Sequence, residues 1–289
     1  MILRPAPDKA AVKLELSAPA KINWFLAVVG KRGDGYHDIV SPMQCVSLYD
    51  HLSFESSEKI ELVSGMEVPE EENLVYRAAR LLQQSSGCGK GVKITLEKNI
   101  PLAAGLGGGS SDAASTLIGL NRFWGLDYTK DRLMGIAAGI GSDVPFFIEG
   151  GLSLVEGRGE KVRPLKCEST VPLLLVKTDL EISSAWAYGK YDDELTKRSI
   201  DIKLFCQALE GKDFARLKGM VFNDLEKAVV DEYPEVGEIK RVLVENGAVV
   251  SSMSGSGPTV FGVFSSAEEA GRASLSMGEK MCRVVRTLS

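Results

Sequence analysis

Histidine is scarce in this 289-residue sequence, cysteine is sparse, and positive charge is not in excess. The five cysteines (Cys45, Cys88, Cys167, Cys206, Cys282) are odd in number, scattered, and form no Cys-x-x-Cys pair. That excludes a zinc ribbon or a disulfide framework and predicts buried thiols in a reducing cytoplasm. With 34 Lys and Arg against 39 Asp and Glu, the net charge is −5, and the footprint of a nucleic-acid binder is missing. A small anionic substrate stays open, because a local site needs only a few donors. Clean apolar runs such as residues 171–176 fall far short of the roughly 20 residues of a membrane span. Residues 1–9 hold Arg4 and two prolines but no apolar stretch of signal-peptide length. The expected partner is therefore a small molecule, with neither nucleic acid nor membrane, and no repeat or low-complexity tract points elsewhere. Oligomeric state is not legible.

What is present is mostly ordinary: 44% hydrophobic and 25% charged residues, as in a soluble globular chain long enough for one large or two medium domains. Alternating apolar residues predict strands over 12–16, 22–29, 39–48, 51–55 and 92–97. Asn73 reads as the cap of a helix that Gly87 ends, and another helix fits 130–138. Residues 140–143 read as a turn and 145–148 as a short apolar segment. Beyond a composition shift at 157–166, strands are expected over 173–176, 248–252, 259–264 and 281–286. Helices are expected from Ser184, from Ile200, over 235–245 and from Ala267. The boundary divides the chain into 1–163 and 164–289.

Glycine is the skewed component: of 30 in all, Gly105, Gly107, Gly108 and Gly109 fall within five positions. They lie in the run Pro101, Leu102, Ala103, Ala104, Gly105, Leu106, Gly107, Gly108, Gly109, Ser110, Ser111, Asp112, between a strand and a helix that Ser110 or Ser111 is expected to cap. Adjacent glycines let successive N–H groups point into one concavity, and the helix start adds unpaired donors and partial positive charge. Polyphosphate is the natural ligand. No Gly-Lys-Ser/Thr follows, so this is not a Walker A loop, and Ser110 stands where a dinucleotide fingerprint has its last glycine.

The loop resembles the second motif of the GHMP kinase superfamily (galactokinase, homoserine kinase, mevalonate kinase and relatives). Its triple glycine before Ser-Ser-Asp-Ala-Ala is similar to the branch acting on a cytidine diphosphate-linked methylerythritol. Ala18-Pro19-Ala20-Lys21-Ile22-Asn23 with Arg32-Gly33-Asp34-Gly35-Tyr36-His37 resembles that branch's N-terminal motif. Gly141-Ser142-Asp143-Val144-Pro145-Phe146-Phe147 and Ser254-Gly255-Ser256-Gly257-Pro258 resemble two further motifs, in order. The resemblance implies an α+β, two-domain GHMP kinase fold: an N-terminal half like ribosomal protein S5 domain 2, a ferredoxin-like C-terminal half, and a cleft between.

The resemblance also implies roles. Asp143 would take the acceptor hydroxyl's proton; an isolated Asp after Gly-Ser would otherwise cap its own turn. Lys21, by itself a snorkelling surface lysine, would stand beside the base and the moving phosphoryl. Asn23, two residues on and on the same strand face, would contact substrate or satisfy a neighbouring backbone group. Tyr36 would stack on a cytosine whose edge His37 reads. A second aromatic would cover the other face: Tyr188, with Trp186 as rival. Ser256 would line the site or turn a hairpin, and His51 reads as structural. Gly157-Arg158-Gly159-Glu160 reads as a plain turn. ATP is the implied phosphate donor. Magnesium is expected with it, without a dedicated cage of protein ligands; Ser110 and Ser111 are its candidate hydroxyl contacts. The rivals are another GHMP kinase, of homoserine or mevalonate type, and a non-catalytic nucleotide-binding regulator.

Overall fold

The computed structural model describes residues 13–66, 68–191 and 201–289. Val12 and Ile200, where two elements are expected to begin, lie outside them. In chain order the elements open with β1 Leu14–Asn23, β2 Phe25–Lys31, β3 His37–Glu55, β4 Ile60–Ser64, α1 Leu74–Ser86 and β5 Val92–Glu97. Next come α2 Gly108–Trp124, α3 Lys130–Ala138, α4 Val144–Glu149, β6 Leu152–Gly157 and β7 Lys161–Pro164. Then follow β8 Pro172–Lys177, α5 Ser184–Lys190, α6 Ile202–Glu210, α7 Phe214–Lys218, β9 Phe222–Asn223 and α8 Glu226–Glu232. The chain finishes with α9 Pro234–Glu245, β10 Val250–Met253, β11 Val260–Val263, α10 Ala267–Ser274 and β12 Met281–Arg286. Among the described residues no helix is long and apolar enough to cross a membrane.

Strands β1 to β7 and β9 form the first sheet, built around β3. This 19-residue strand changes partner along its length: β2 and β6 at its start, β1 through its middle, β5 at its end. The two strands expected over 39–48 and 51–55 are therefore one. Conversely, the strand expected over 22–29 is two, because the chain bends at Trp24. That ring is fully buried, edge-on to Phe205 and Phe261. Helices α1 to α4 cover one face through a core that includes Phe54, Leu82, Ile94, Leu117 and Phe146.

The second sheet has the order β10-β11-β8-β12, every pair antiparallel. With helices between β8 and β10 and between β11 and β12, this is the expected ferredoxin-like βαββαβ arrangement. Thr287, just past β12, bridges Val46 of β3, and the Leu288 N–H donates to the Cys45 carbonyl at 2.8 Å, which ties this sheet to the first. Strand β9, from the same half of the chain, joins the first sheet itself by pairing in parallel with β2 (Phe25 with Phe222, Leu26 with Asn223).

Local signals worked where they were self-contained. The Asn73 side chain accepts from the Val75 N–H at 2.9 Å, and Gly87 ends α1 in the left-handed region. The short apolar segment over 145–148 lies in helix α4. Cys45 and Cys167 are buried, whereas Cys88, Cys206 and Cys282 are only half-buried, and all five are free thiols. His51 has a contact the sequence did not reveal, with Ser17 Oγ at 3.2 Å from its Nδ1.

Candidate active site

A cavity of about 990 Å³ is walled by the end of β1, by β2, the start of β3, the glycine loop, residues 142–143, the β6–β7 turn, α5 and residues 255–256. Lys21, Asn23, Tyr36, His37, Asp143, Tyr188 and Ser256 all line it. So do Pro101, Leu102, Ala103, Ala104, Gly105, Gly107, Gly108, Gly109 and Ser110.

Three residues of the loop run depart from expectation. Leu106 is buried in the core below and offers its carbonyl to the Lys21 N–H at 3.0 Å. Ser111 is fully buried off the cavity, its Oγ without a hydrogen-bond partner among the described residues. Asp112 is also buried, accepting from Lys98 Nζ at 2.7 Å. Lys98 is shared with Asp50, whose Oδ1 also accepts the Asn99 and Ile100 N–H groups leading into the loop. Burial pushes the Asp112 carboxyl up to about 7, against the pull of Lys98.

The cap expected at Ser110 or Ser111 is Gly107 instead. It enters α2 at φ 71° and makes no side-chain cap bond, so the first turn's N–H groups have no side-chain acceptor. Glycine is required by contact as well: a Cβ there would sit 2.8 Å from Phe147 and 3.1 Å from Lys21 Cγ. Helix dipole and free donors thus face the cavity beside the lysine.

Lys21, 3% exposed, donates from Nζ to Asn23 Oδ1 at 2.5 Å. Asn23 passes the chain on, donating to Ser41 Oγ at 2.8 Å, which donates to the Phe25 carbonyl at 2.5 Å. The Asn23 side chain is thereby fixed facing Lys21. Burial drives the lysine's pKa down, while Asp143 acts to raise it. Asp143 precedes α4 yet makes no side-chain cap bond to it, so the turn-capping alternative is not realised.

On the same cavity wall His37 and Tyr188 stack, ring centroids 5.4 Å apart and planes 20° apart. His37 Nδ1 is buried without a hydrogen-bond partner among the described residues. Burial, and then Lys31, lower the imidazole's pKa and favour the neutral ring. The Tyr188 hydroxyl is shifted upward by burial and by Asp143. Trp186 is not on the cavity wall; it packs on Tyr233. Tyr36 is 53% exposed, and Arg158 lies over its ring at 5.3 Å. The turn that read as plain therefore contributes a cavity residue. Its signal is non-local, since Gly159 packs against Ser142 and Asp143.

A glycine loop at a helix start, a buried lysine near a carboxylate and an aromatic end in one cleft make a small-molecule phosphotransferase of the GHMP kinase class. Residues 73–151 match the family described as GHMP kinases N terminal domain, and 202–282 match GHMP kinases C terminal. A 4-diphosphocytidyl-2-C-methyl-D-erythritol kinase of Thermodesulfovibrio yellowstonii is 48% identical over 95% of this chain and 98% of its own. A crystal structure of a 4-(cytidine 5'-diphospho)-2C-methyl-D-erythritol kinase superposes with TM-score 0.84 at 32% identity, covering 96% of this chain and all of that one. Homoserine kinase from Cytophaga hutchinsonii (TM-score 0.74, 20% identity, 99% and 97% covered) shares the fold. The chain belongs to the family of 4-diphosphocytidyl-2-C-methyl-D-erythritol kinases.

Proposed function

We propose that this protein transfers the γ-phosphoryl of ATP to the 2-hydroxyl of 4-diphosphocytidyl-2-C-methyl-D-erythritol, a step of the non-mevalonate isoprenoid route. The observation that carries the reading is one cavity holding the glycine loop, the Lys21–Asp143 pair and the His37–Tyr188 stack. A donor polyphosphate, an alcohol and a nucleobase need those three surfaces together.

In this mechanism residues 101–110 cradle the donor phosphates with backbone N–H groups at the start of α2. Asp143 accepts the proton of the acceptor hydroxyl. Lys21, held by Asn23, supplies positive charge beside the attacking oxygen and the moving phosphoryl. Tyr36 and Tyr188 cover the cytosine, and the unpartnered His37 Nδ1 reads its edge. Ser256, whose hydroxyl lies 3.1 Å from Ser184 Oγ, borders the acceptor. The chain divides into lobes 1–163 and 164–289 around this cleft and works in the cytoplasm, in keeping with its free thiols.

Among the described residues no three His, Cys, Asp or Glu side chains converge on a metal position. Oxygen donors on the wall, the Asp143 carboxylate and the Ser110 hydroxyl, fit a magnesium ion held chiefly by phosphates and water. Such an ion would neutralise charge on the β- and γ-phosphates.

The test offers ATP with the cytidyl alcohol, homoserine or mevalonate. Turnover of the cytidyl alcohol alone is expected; turnover of homoserine or mevalonate in its place overturns the reading. Asp143→Asn should lower kcat by about 10²–10⁴-fold. ATP binding with product formation at background in the wild type, and no change from background in Asp143→Asn, would favour the regulator alternative.

A further inference from the structure

The four residues of the β6–β7 turn are more constrained than a connecting loop requires. Gly157 and Gly159 sit at φ 71° and 118°, and the Glu160 carboxylate accepts the Arg158 N–H at 2.8 Å. The turn is also docked: a Cβ on Gly159 would lie 3.1 Å from Ser142 Cβ and 3.5 Å from Asp143 Oδ1. Arg158 is thus fixed one residue from a glycine whose backbone lies against the Asp143 side chain, while its guanidinium reaches over Tyr36 at 5.3 Å. Its ion-pair partner among the described residues, Glu160, is 4.0 Å from Nε, at the outer limit of a pair. The guanidinium's charge is largely uncompensated in a cavity wall whose other cations are Lys21 and Lys31.

We propose that Arg158 binds the diphosphate of the acceptor substrate and is the residue that distinguishes a nucleoside diphosphate-linked alcohol from an uncharged one. This rests on the acceptor reading given above. If the reacting hydroxyl lies at Asp143 and the base at Tyr36 and His37, the linker between them is the ribose and the diphosphate, of which the diphosphate carries the negative charge. Arg158 is the side chain whose anchor touches the first end and whose head group lies at the second. A planar guanidinium can pair two phosphate oxygens at once, and its cation–π contact with Tyr36 keeps it beside the base. The donor phosphates have their own cradle in the glycine loop, which Lys21 and Gly255 border on the other side.

The test compares wild type, Arg158→Ala and Arg158→Lys. Calorimetry measures CDP and cytidine binding, and kinetics give kcat and both KM values. Arg158→Ala is expected to weaken CDP binding about tenfold while cytidine changes less than about twofold. The acceptor KM should rise in parallel, with kcat and the ATP KM unchanged, and Arg158→Lys should fall between. An unchanged ATP KM also reports an intact fold. Equal weakening of CDP and cytidine would assign Arg158 to supporting Tyr36 and overturn the proposal. A rise in the ATP KM, or no change at all, overturns it too. If the wild type neither binds CDP nor phosphorylates the cytidyl alcohol, the acceptor reading falls with it, an outcome distinct from a silent Arg158 variant in an active enzyme.

Discussion

Gly105 and Ser254, 149 residues apart in sequence, are packed backbone against backbone: the Ser254 hydroxyl donates to the Gly105 carbonyl at 3.0 Å. A Cβ on Gly105 would stand 2.1 Å from the Ser254 carbonyl, and Gly105 sits at φ 72°. The loop expected to cradle phosphate is therefore clamped by the second sheet. Gly105→Ala should displace both segments, destabilising the protein by about 1–3 kcal/mol and raising the ATP KM. Gly271→Ala, in α10 with open space around it, should instead be neutral or stabilising by about 0.5–1 kcal/mol. Paired thermal melts and kinetics check the contrast.

Asn223 holds the same clamp from below, donating to the Met253 and Gly255 carbonyls at 2.9 and 2.7 Å. Asn223→Ala leaves both carbonyls short of a buried donor. Denaturant titration should show a loss of about 2–3 kcal/mol. The acceptor KM should rise as Gly255 and Ser256 loosen.

Burial lowers the Lys21 pKa from the ordinary 10.5, so its protonated form is lost at lower pH than for a surface lysine. The kcat/KM profile should accordingly decline on the alkaline side before pH 10.5. Lys21→Met should be slower by about 10²-fold or more and lack that decline. An identical alkaline limb in the variant would show that another group titrates.

The buried Asp112 gives a stability signature. Its carboxyl titrates near 7 when folded against about 3.8 ordinarily, so between those values the folded state holds the extra proton. Stability contributed by this group is full below about pH 4 and is lost as pH rises through 7. Asp112→Asn should flatten the fall across that window, a difference on the order of 2 kcal/mol. Melts of both proteins from pH 4 to 8 measure it.

Much of this was readable from sequence where the determinants are local. Helix α3 runs over the residues its periodicity marks, and Asn73 caps α1 as its side chain requires. The glycine loop, Lys21 and Asp143 were legible as chemistry because their spacing is set within short motifs. The cap of α2 differs from expectation because a serine usually caps by its side chain, whereas here a left-handed glycine leaves the helix start free. Arg158 carries no signal of its own in the sequence, because Tyr36 and the Asp143 side chain come beside its turn only on folding. Leu106 and Ser111 face inward although they interrupt or follow the cavity-lining glycines, since helix and loop periodicity turns them toward the core.

The long strand β3 carries His37 at its start and Asp50, anchor of the glycine loop, toward its end, with the partners of Lys21 and Asn23 between them. Side chains alternate face along its regular stretches, and its register against β1 shifts between Pro19 and Ala20, so losing or gaining one further residue within a regular stretch would turn one end's set inside out relative to the other. Descendants of this sequence can exchange residues in β3 one at a time, but they cannot change its length. Insertions and deletions that remodel the kinase should accumulate elsewhere, in connections such as that between β4 and α1.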